Sequence, residues 1–217
     1  MPNLRKDIDS YLQKLLALQF EASSNISHKP TKGGVREKFI KQVVKSEIPD
    51  VTLVSGTLTH DEWESSQCDF IWLKDRARVG ELPVYELSDC KLFMEIKSDA
   101  KHSEMVALNT VADEIHTRSC AISSDARVLV GMFCYSTDAS EKTVLKKFGF
   151  KYDNDFQGYC AYDASQDIFK EIDFLFSLNI GDDGMPSPYI VIRDIFGNCY
   201  LYNANPVIAN FFNFFKQ

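Results

Sequence analysis

The chain opens on a helical stripe. From Leu4 to Phe20, apolar side chains recur at Leu4, Ile8, Tyr11, Leu12, Leu15, Leu16 and Leu18, the spacing that gathers them on one face of an α-helix. Ser23 to Lys32 is polar, contains Pro30 and reads as a loop. A second helix is predicted from Gly33-Gly34 to about Ser46, with Val35, Phe39, Ile40, Val43 and Val44 apolar and Pro49 closing it. The pattern then shortens to that of strands. Val51 to Thr59 is β-branched around Gly56, Cys68 to Leu73 follows, and in Lys91 to Lys97 the residues Leu92, Met94 and Ile96 share one face. Asp61 to Ser66 reads as a turn, and Lys74 to Tyr85 as a polar, irregular insertion. A third helix is expected over Ser103 to Arg118. Arg127 to Tyr135 is almost continuously apolar, which suits a strand covered on both faces in mid-sheet. Ala139 to Phe148 reads as helix, ended by Gly149. Ile168 to Leu178 reads as strand. Tyr189 to Ile195 and Cys199 to Tyr202 flank a turn at Phe196-Gly197-Asn198. The tail, Val207 to Phe215, carries Phe211, Phe212, Phe214 and Phe215 and must pack on the domain or on a neighbour.

This order of elements is that of an α/β protein: a mixed β-sheet flanked by helices, with a C-terminal β-rich extension. A length of 217 residues suits one domain over 1–217. Its core would span about 28–150, with an N-terminal helix over 3–22 and the extension over 151–217. No internal repeat and no low-complexity linker interrupts it.

Composition narrows the classes. No apolar run approaches the roughly 20 residues that cross a bilayer, and the first residues lack a signal-peptide core, so a cytoplasmic protein without a membrane partner is expected. The six cysteines are scattered without a C-x-x-C pair, which argues against a zinc knuckle or a thioredoxin-type site and for reduced thiols. His60, His102 and His116 have no zinc spacing, and Ser65 and Ser66 lack the context of an activated nucleophile. The net charge of −7 disfavours a broad nucleic-acid surface. One segment departs from it: Lys29, Lys32, Arg36, Lys38, Lys41 and Lys45 face the single acid Glu37. It is either a solvated helix face or a phosphate-binding one.

Candidate chemistry sits on the strands. Glu95 and Lys97 are two apart, so they project together while Ile96 turns into the core. Asp69 lies on the preceding strand. Two carboxylates and an ammonium at one point are costly unless a divalent cation or an anionic substrate belongs there. Glu37 falls in line with Ile40, Lys41 and Val44, at the edge of the second helix's buried stripe, where it can lean over the end of the sheet. Each has a plainer alternative: a strand-end surface pair for Glu95 and Lys97, a turn cap for Asp69, a solvent-facing position for Glu37.

Several short runs carry a resemblance: His28-Lys29, Gly33-Gly34-Val35-Arg36-Glu37, Val54-Ser55-Gly56, Ser66-Gln67-Cys68-Asp69-Phe70-Ile71, Tyr85-Glu86 and Met94-Glu95-Ile96-Lys97-Ser98. Over about residues 28–135 the chain resembles the PD-(D/E)XK, or restriction-endonuclease-like, nucleases, and more closely a bacterial domain family of unknown function among them. Cys68 stands where a proline often precedes the motif aspartate, and the stretch from Asp69 to Glu95 is longer than the tight hairpin of many members. The resemblance implies a restriction-endonuclease-like sheet and a Mg²⁺ (or Mn²⁺) cofactor held by Glu37, Asp69, Glu95 and the Ile96 carbonyl. Lys97 would assist the attacking water or stabilise charge building on phosphorus. Lys29, Lys32, Arg36 and Lys41 would hold the phosphate backbone, and Gln67 substrate or metal-bound water. The implied activity is hydrolysis of phosphodiester bonds in nucleic acid, DNA foremost, in bacterial restriction or phage defence. The alternative is a catalytically inactive nuclease-fold module that binds nucleic acid or a protein. The Phe-rich tail offers a surface for a homodimer or a protein partner.

Overall fold

Two helices lead the chain, α1 (Leu4–Ser24) and α2 (Lys29–Glu47). The computed structural model describes residues 4–75, 77, 79–122, 127–155, 157–181, 184–204 and 206–215. α2 begins about a turn before its apolar stripe, so residues 29–32 are helix rather than loop. The His28 ring is the reason: as N-cap it accepts the Thr31 N–H at 3.4 Å. Pro30 then sits in the first turn, where a missing N–H leaves no bond unmade.

The strands follow as β1 (Thr52–His60), β2 (Trp63–Glu64), β3 (Cys68–Leu73), β4 (Val84–Glu86) and β5 (Cys90–Ala100). After α3 (His102–Ile122) come β6 (Leu129–Thr137), α4 (Glu141–Lys147), β7 (Phe148–Asp153), β8 (Gly158–Asp167), β9 (Phe174–Ser177), β10 (Tyr189–Arg193), β11 (Cys199–Tyr202) and α5 (Val207–Phe215). Among the described residues one nine-stranded sheet runs β11-β10-β9-β6-β5-β3-β1-β2, with β4 added beside β1. β6 lies parallel to both β5 and β9, as its unbroken apolar run predicts for a central strand. The sheet is mixed, since β1–β3, β3–β5, β9–β10 and β10–β11 are antiparallel. β3 and β5 pair directly despite the long stretch between Asp69 and Glu95. That stretch returns along β1, where β4 pairs in parallel register from Thr57 with Val84 to Thr59 with Glu86.

Alternation along β5 divides the interior in two. Phe93 belongs to a core shared with α3 and α4 through Met105, Leu108, Ile115, Val144 and Leu145. Leu92, Met94 and Ile96 belong to the opposite core, closed by Leu12 and Leu16 of α1, Ile40, Val43 and Val44 of α2, and Phe211, Phe212 and Phe215 of α5. Phe211 and Phe215 of α5 meet Phe133, Phe174 and Phe176 of the sheet in tilted and edge-on contacts. Each ring so buried contributes about 1.5–3 kcal/mol from lost apolar exposure. The tail therefore packs Phe211, Phe212 and Phe215 on its own chain.

The last third differs most from its sequence pattern. β9, β10 and β11 continue the main sheet. β7 and β8 form a separate hairpin that the pattern did not announce. Gly149 belongs to that hairpin: at φ 82° it bends β7 so closely that a Cβ would meet the Asp163 carbonyl at 2.6 Å. α4 stops at Lys147, before it.

Candidate active site

Glu95 and Lys97 leave β5 on the face that looks toward α3. Lys97 Nζ donates to Glu95 Oε2 at 2.7 Å and stands 3.9 Å from Asp69 Oδ2. Both strands thus deliver their charged groups to one point, across 27 residues of sequence between Asp69 and Ile96, whose N–H donates to Asp69 Oδ2 at 3.2 Å.

A bulge aims Asp69 there. β1 takes two steps from Val54 to Gly56 while β3 takes three from Ile71 back to Cys68. The extra residue breaks the alternation: Cys68 and Ile71 enter one core, Phe70 and Trp72 the other. A strictly alternating strand could not place Cys68 and Ile71 on the same side, and the bulge that permits it turns the intervening carboxylate toward β5. Ser55 secures the position, its hydroxyl donating to the Asp69 carbonyl at 2.9 Å while accepting the Lys41 ammonium.

Glu37 approaches from α2. Burial pushes its carboxyl above the ordinary range, the charge of Asp69 adds to that, and Lys41 and Lys97 oppose it. Those interactions place Glu37 in the same electrostatic cluster as the strand residues. Burial likewise raises Glu95, against the pull of Lys97. Burial draws the Lys97 ammonium down, but the charge and hydrogen bond of Glu95, then Asp69 and Glu104, outweigh it and leave Lys97 raised. The neighbouring Cys68 thiol is fully buried and pushed well above its ordinary value, which leaves it a neutral packing group.

Beside the pair runs a groove of about 260 Å³ lined by Gln67, Phe93, Glu95, Lys97, Glu104 and Leu108. Gln67 is exposed at its mouth. Glu104, in the first turn of α3, accepts the Lys101 N–H at 2.8 Å and lines the same groove. Sequence reading missed Glu104 as a site residue. Its one sequence signal is a capping-box spacing from Lys101, which says nothing of a site.

The basic segment divides. Lys41 is half-buried and belongs to the cluster: burial lowers its pKa, and Glu37 and Asp69 oppose that. Lys32 donates to the Ser24 carbonyl at 3.1 Å, tying α2 to the end of α1. Arg36, expected on phosphate, is only 4 % exposed. It donates to Ser23 Oγ at 2.7 Å, Ser24 Oγ at 3.0 Å and the Phe20 carbonyl at 3.1 Å, with its guanidinium 4.0 Å from the Phe20 ring. It closes the C-terminus of α1 and has no surface left for a nucleic acid. Lys29, Lys38 and Lys45 are exposed.

A divalent cation can be tested against these donors. Glu37, Asp69, Glu95 and the Ile96 carbonyl are all oxygens, the kind that Mg²⁺ and Mn²⁺ take. The donor chemistry fits. In the arrangement present, however, no group of three His, Cys, Asp or Glu side chains among the described residues is gathered closely enough to share an ion. The Glu95 oxygen is held by Lys97 instead.

No family model and no curated protein matches the chain. Solved structures do. NucC from E. coli MS115-1 in its cAAA-bound form superposes with a TM-score of 0.68 at 11% identity, over 98% of this chain and 88% of that one. NucC from P. aeruginosa ATCC27853, also cAAA-bound, gives 0.68 at 11%, over 98% and 89%. The apo form of the E. coli protein gives 0.60 at 10%, over 97% and 89%. At that identity the likeness establishes the fold: this chain is built as NucC is, nearly end to end.

Proposed function

We propose that this chain is a metal-dependent nuclease that hydrolyses phosphodiester bonds, in DNA foremost, and serves phage defence. The observation that carries the reading is the meeting of Asp69, Glu95 and Lys97 from two strands, the first aimed by a bulge. The NucC fold and the resemblance to PD-(D/E)XK nucleases support it. Glu37, Asp69, Glu95 and the Ile96 carbonyl would hold Mg²⁺ or Mn²⁺, which supplies Lewis acidity and a more acidic bound water. Lys97 would place its ammonium on the attacking water or on the charge that grows on the phosphoryl oxygens. The Ile96 N–H holds Asp69 in line, and Lys41 with Ser55 braces the Asp69 backbone. Lys29, exposed at the start of α2, would contact phosphates without reading sequence. Gln67 at the groove mouth would meet the substrate. No described helix is long and apolar enough to cross a membrane. The cysteines with described side chains are free, as expected in the cytoplasm, where we place the protein.

The test is incubation of supercoiled plasmid, single-stranded DNA and RNA with Mg²⁺, Mn²⁺ or EDTA, each with and without cAAA, the ligand of two NucC structures. Metal-dependent nicking that falls about 100-fold or more in Lys97→Ala is expected. A second reading, a nucleic-acid-binding module without catalysis, is favoured by the absence of a gathered three-ligand cluster among the described residues. Binding without cleavage under any metal, unchanged in Lys97→Ala, would establish that reading and end the first.

A further inference from the structure

The site already contains a cation, and it belongs to the protein. Lys97 Nζ lies 2.7 Å from Glu95 Oε2 and 3.9 Å from Asp69 Oδ2, so one ammonium offsets part of the charge of both strand carboxylates. A divalent ion drawn to those oxygens meets Lys97 as a competitor, because like charges a few ångströms apart repel strongly in a half-buried place. The ammonium must then leave Glu95. Phe93, Ala107, Leu108 and Val111 wall the groove beside it with apolar surface. Glu104 is the acid across that groove, held in place by the Lys101 N–H. A lysine carries its charge on a flexible four-carbon stem with three rotatable donors, which suits it to exchange one carboxylate for another.

We infer that Lys97 is the resident counter-ion of the metal-free site, and that Glu104 is the positioning residue that receives its ammonium when a divalent cation takes Glu95 and Asp69. The inference rests on the metal-dependent reading above. It makes the same lysine a brake on metal binding and a participant once displaced, with Glu104 setting where the displaced charge stands.

The test is Mn²⁺ binding to the full chain by titration calorimetry, with no nucleic acid present, alongside metal-free thermal melts. Lys97→Met should bind Mn²⁺ about fivefold tighter or more than wild type, and its metal-free form should melt lower, because Glu95 and Asp69 lose their cationic partner. Lys97→Arg should restore both values toward wild type. Glu104→Gln should weaken Mn²⁺ about threefold, and that effect should vanish in the Lys97→Met background, since a residue acting through Lys97 has nothing to act on without it. Persistence of the Glu104→Gln effect in that background would mean a direct field on the ion and would overturn the positioning role. Loss of thermal stability in Glu104→Gln with unchanged Mn²⁺ affinity would leave Glu104 a helix cap and do the same. Wild type that binds Mn²⁺, with Lys97→Met no tighter, defeats this inference alone. Failure of both to bind defeats the metal-dependent reading with it.

Discussion

Lys29 and Arg36 stand two turns apart on one helix and perform opposite tasks. Arg36 is buried, stacked on Phe20 and hydrogen-bonded to the end of α1; Lys29 is exposed. Removing a buried guanidinium deprives the Ser23 and Ser24 hydroxyls of their donor, leaves the Phe20 carbonyl to those two hydroxyls, and opens a cavity against an aromatic ring. Arg36→Ala should therefore lose about 2–4 kcal/mol in urea unfolding and leave the salt dependence of DNA binding unchanged. Lys29→Ala should stay within about 0.5 kcal/mol of wild-type stability and flatten the slope of log K against log salt by about 0.9. A flattened slope in Arg36→Ala would contradict its burial. Sequence alone could not separate the two residues. A run of Lys and Arg reads as one charge, whereas the burial of Arg36 depends on Phe20 and Tyr135, which other elements bring to it.

Elements with an unbroken period were legible, and those that depend on a distant partner were not. β5, β6 and α3 match in place and type, because each buries what its alternation, its apolar run or its helical stripe displays, and β3 matches its predicted span although its alternation is broken. The pairing of Glu95 with Lys97 followed from the same period of two. The aim of Asp69 did not, because the bulge in β3 breaks the parity by which a strand is counted. Glu104 was hidden because no pattern within α3 tells which of its turns stands over β5. The β7–β8 hairpin was hidden for a related reason: its glycine, Gly149, also reads as a helix stop. β4 shows how much such docking depends on one atom. A Cβ at Gly56 would lie 2.0 Å from the Pro83 carbonyl oxygen, the acceptor of the Thr57 N–H. Gly56→Ala should therefore push β4 off β1 and cost about 2–4 kcal/mol. Hydrogen exchange at the amides of Val84, Tyr85 and Glu86 would report it, and unchanged protection there would refute the close approach.

The two faces of the sheet are closed by different parts of the chain. The face carrying Glu95 and Lys97 is covered by α3 and α4, which follow β5 and β6 directly. The other face is covered by α1, α2 and α5, from opposite ends of the sequence. Asp9 of α1 is buried and accepts the Ala209 N–H of α5 at 2.9 Å, a contact spanning 200 residues. Truncation after Pro206 removes Phe211 and Phe215 from Phe133, Phe174 and Phe176. The shortened chain should keep most of its far-ultraviolet dichroism, bind a dye specific for exposed apolar surface and lose its cooperative thermal transition. A truncated chain that melts cooperatively without binding dye would show that α5 is dispensable. The clasp between Asp9 and α5 also imposes an order on synthesis. A ribosome delivers α1 well before α5, so the side of α1 that meets α5 stays wet until residues 207–215 follow. Pausing before residues 207–215 emerge would hold the nascent chain half-closed, with a bare aromatic floor within reach of chaperones.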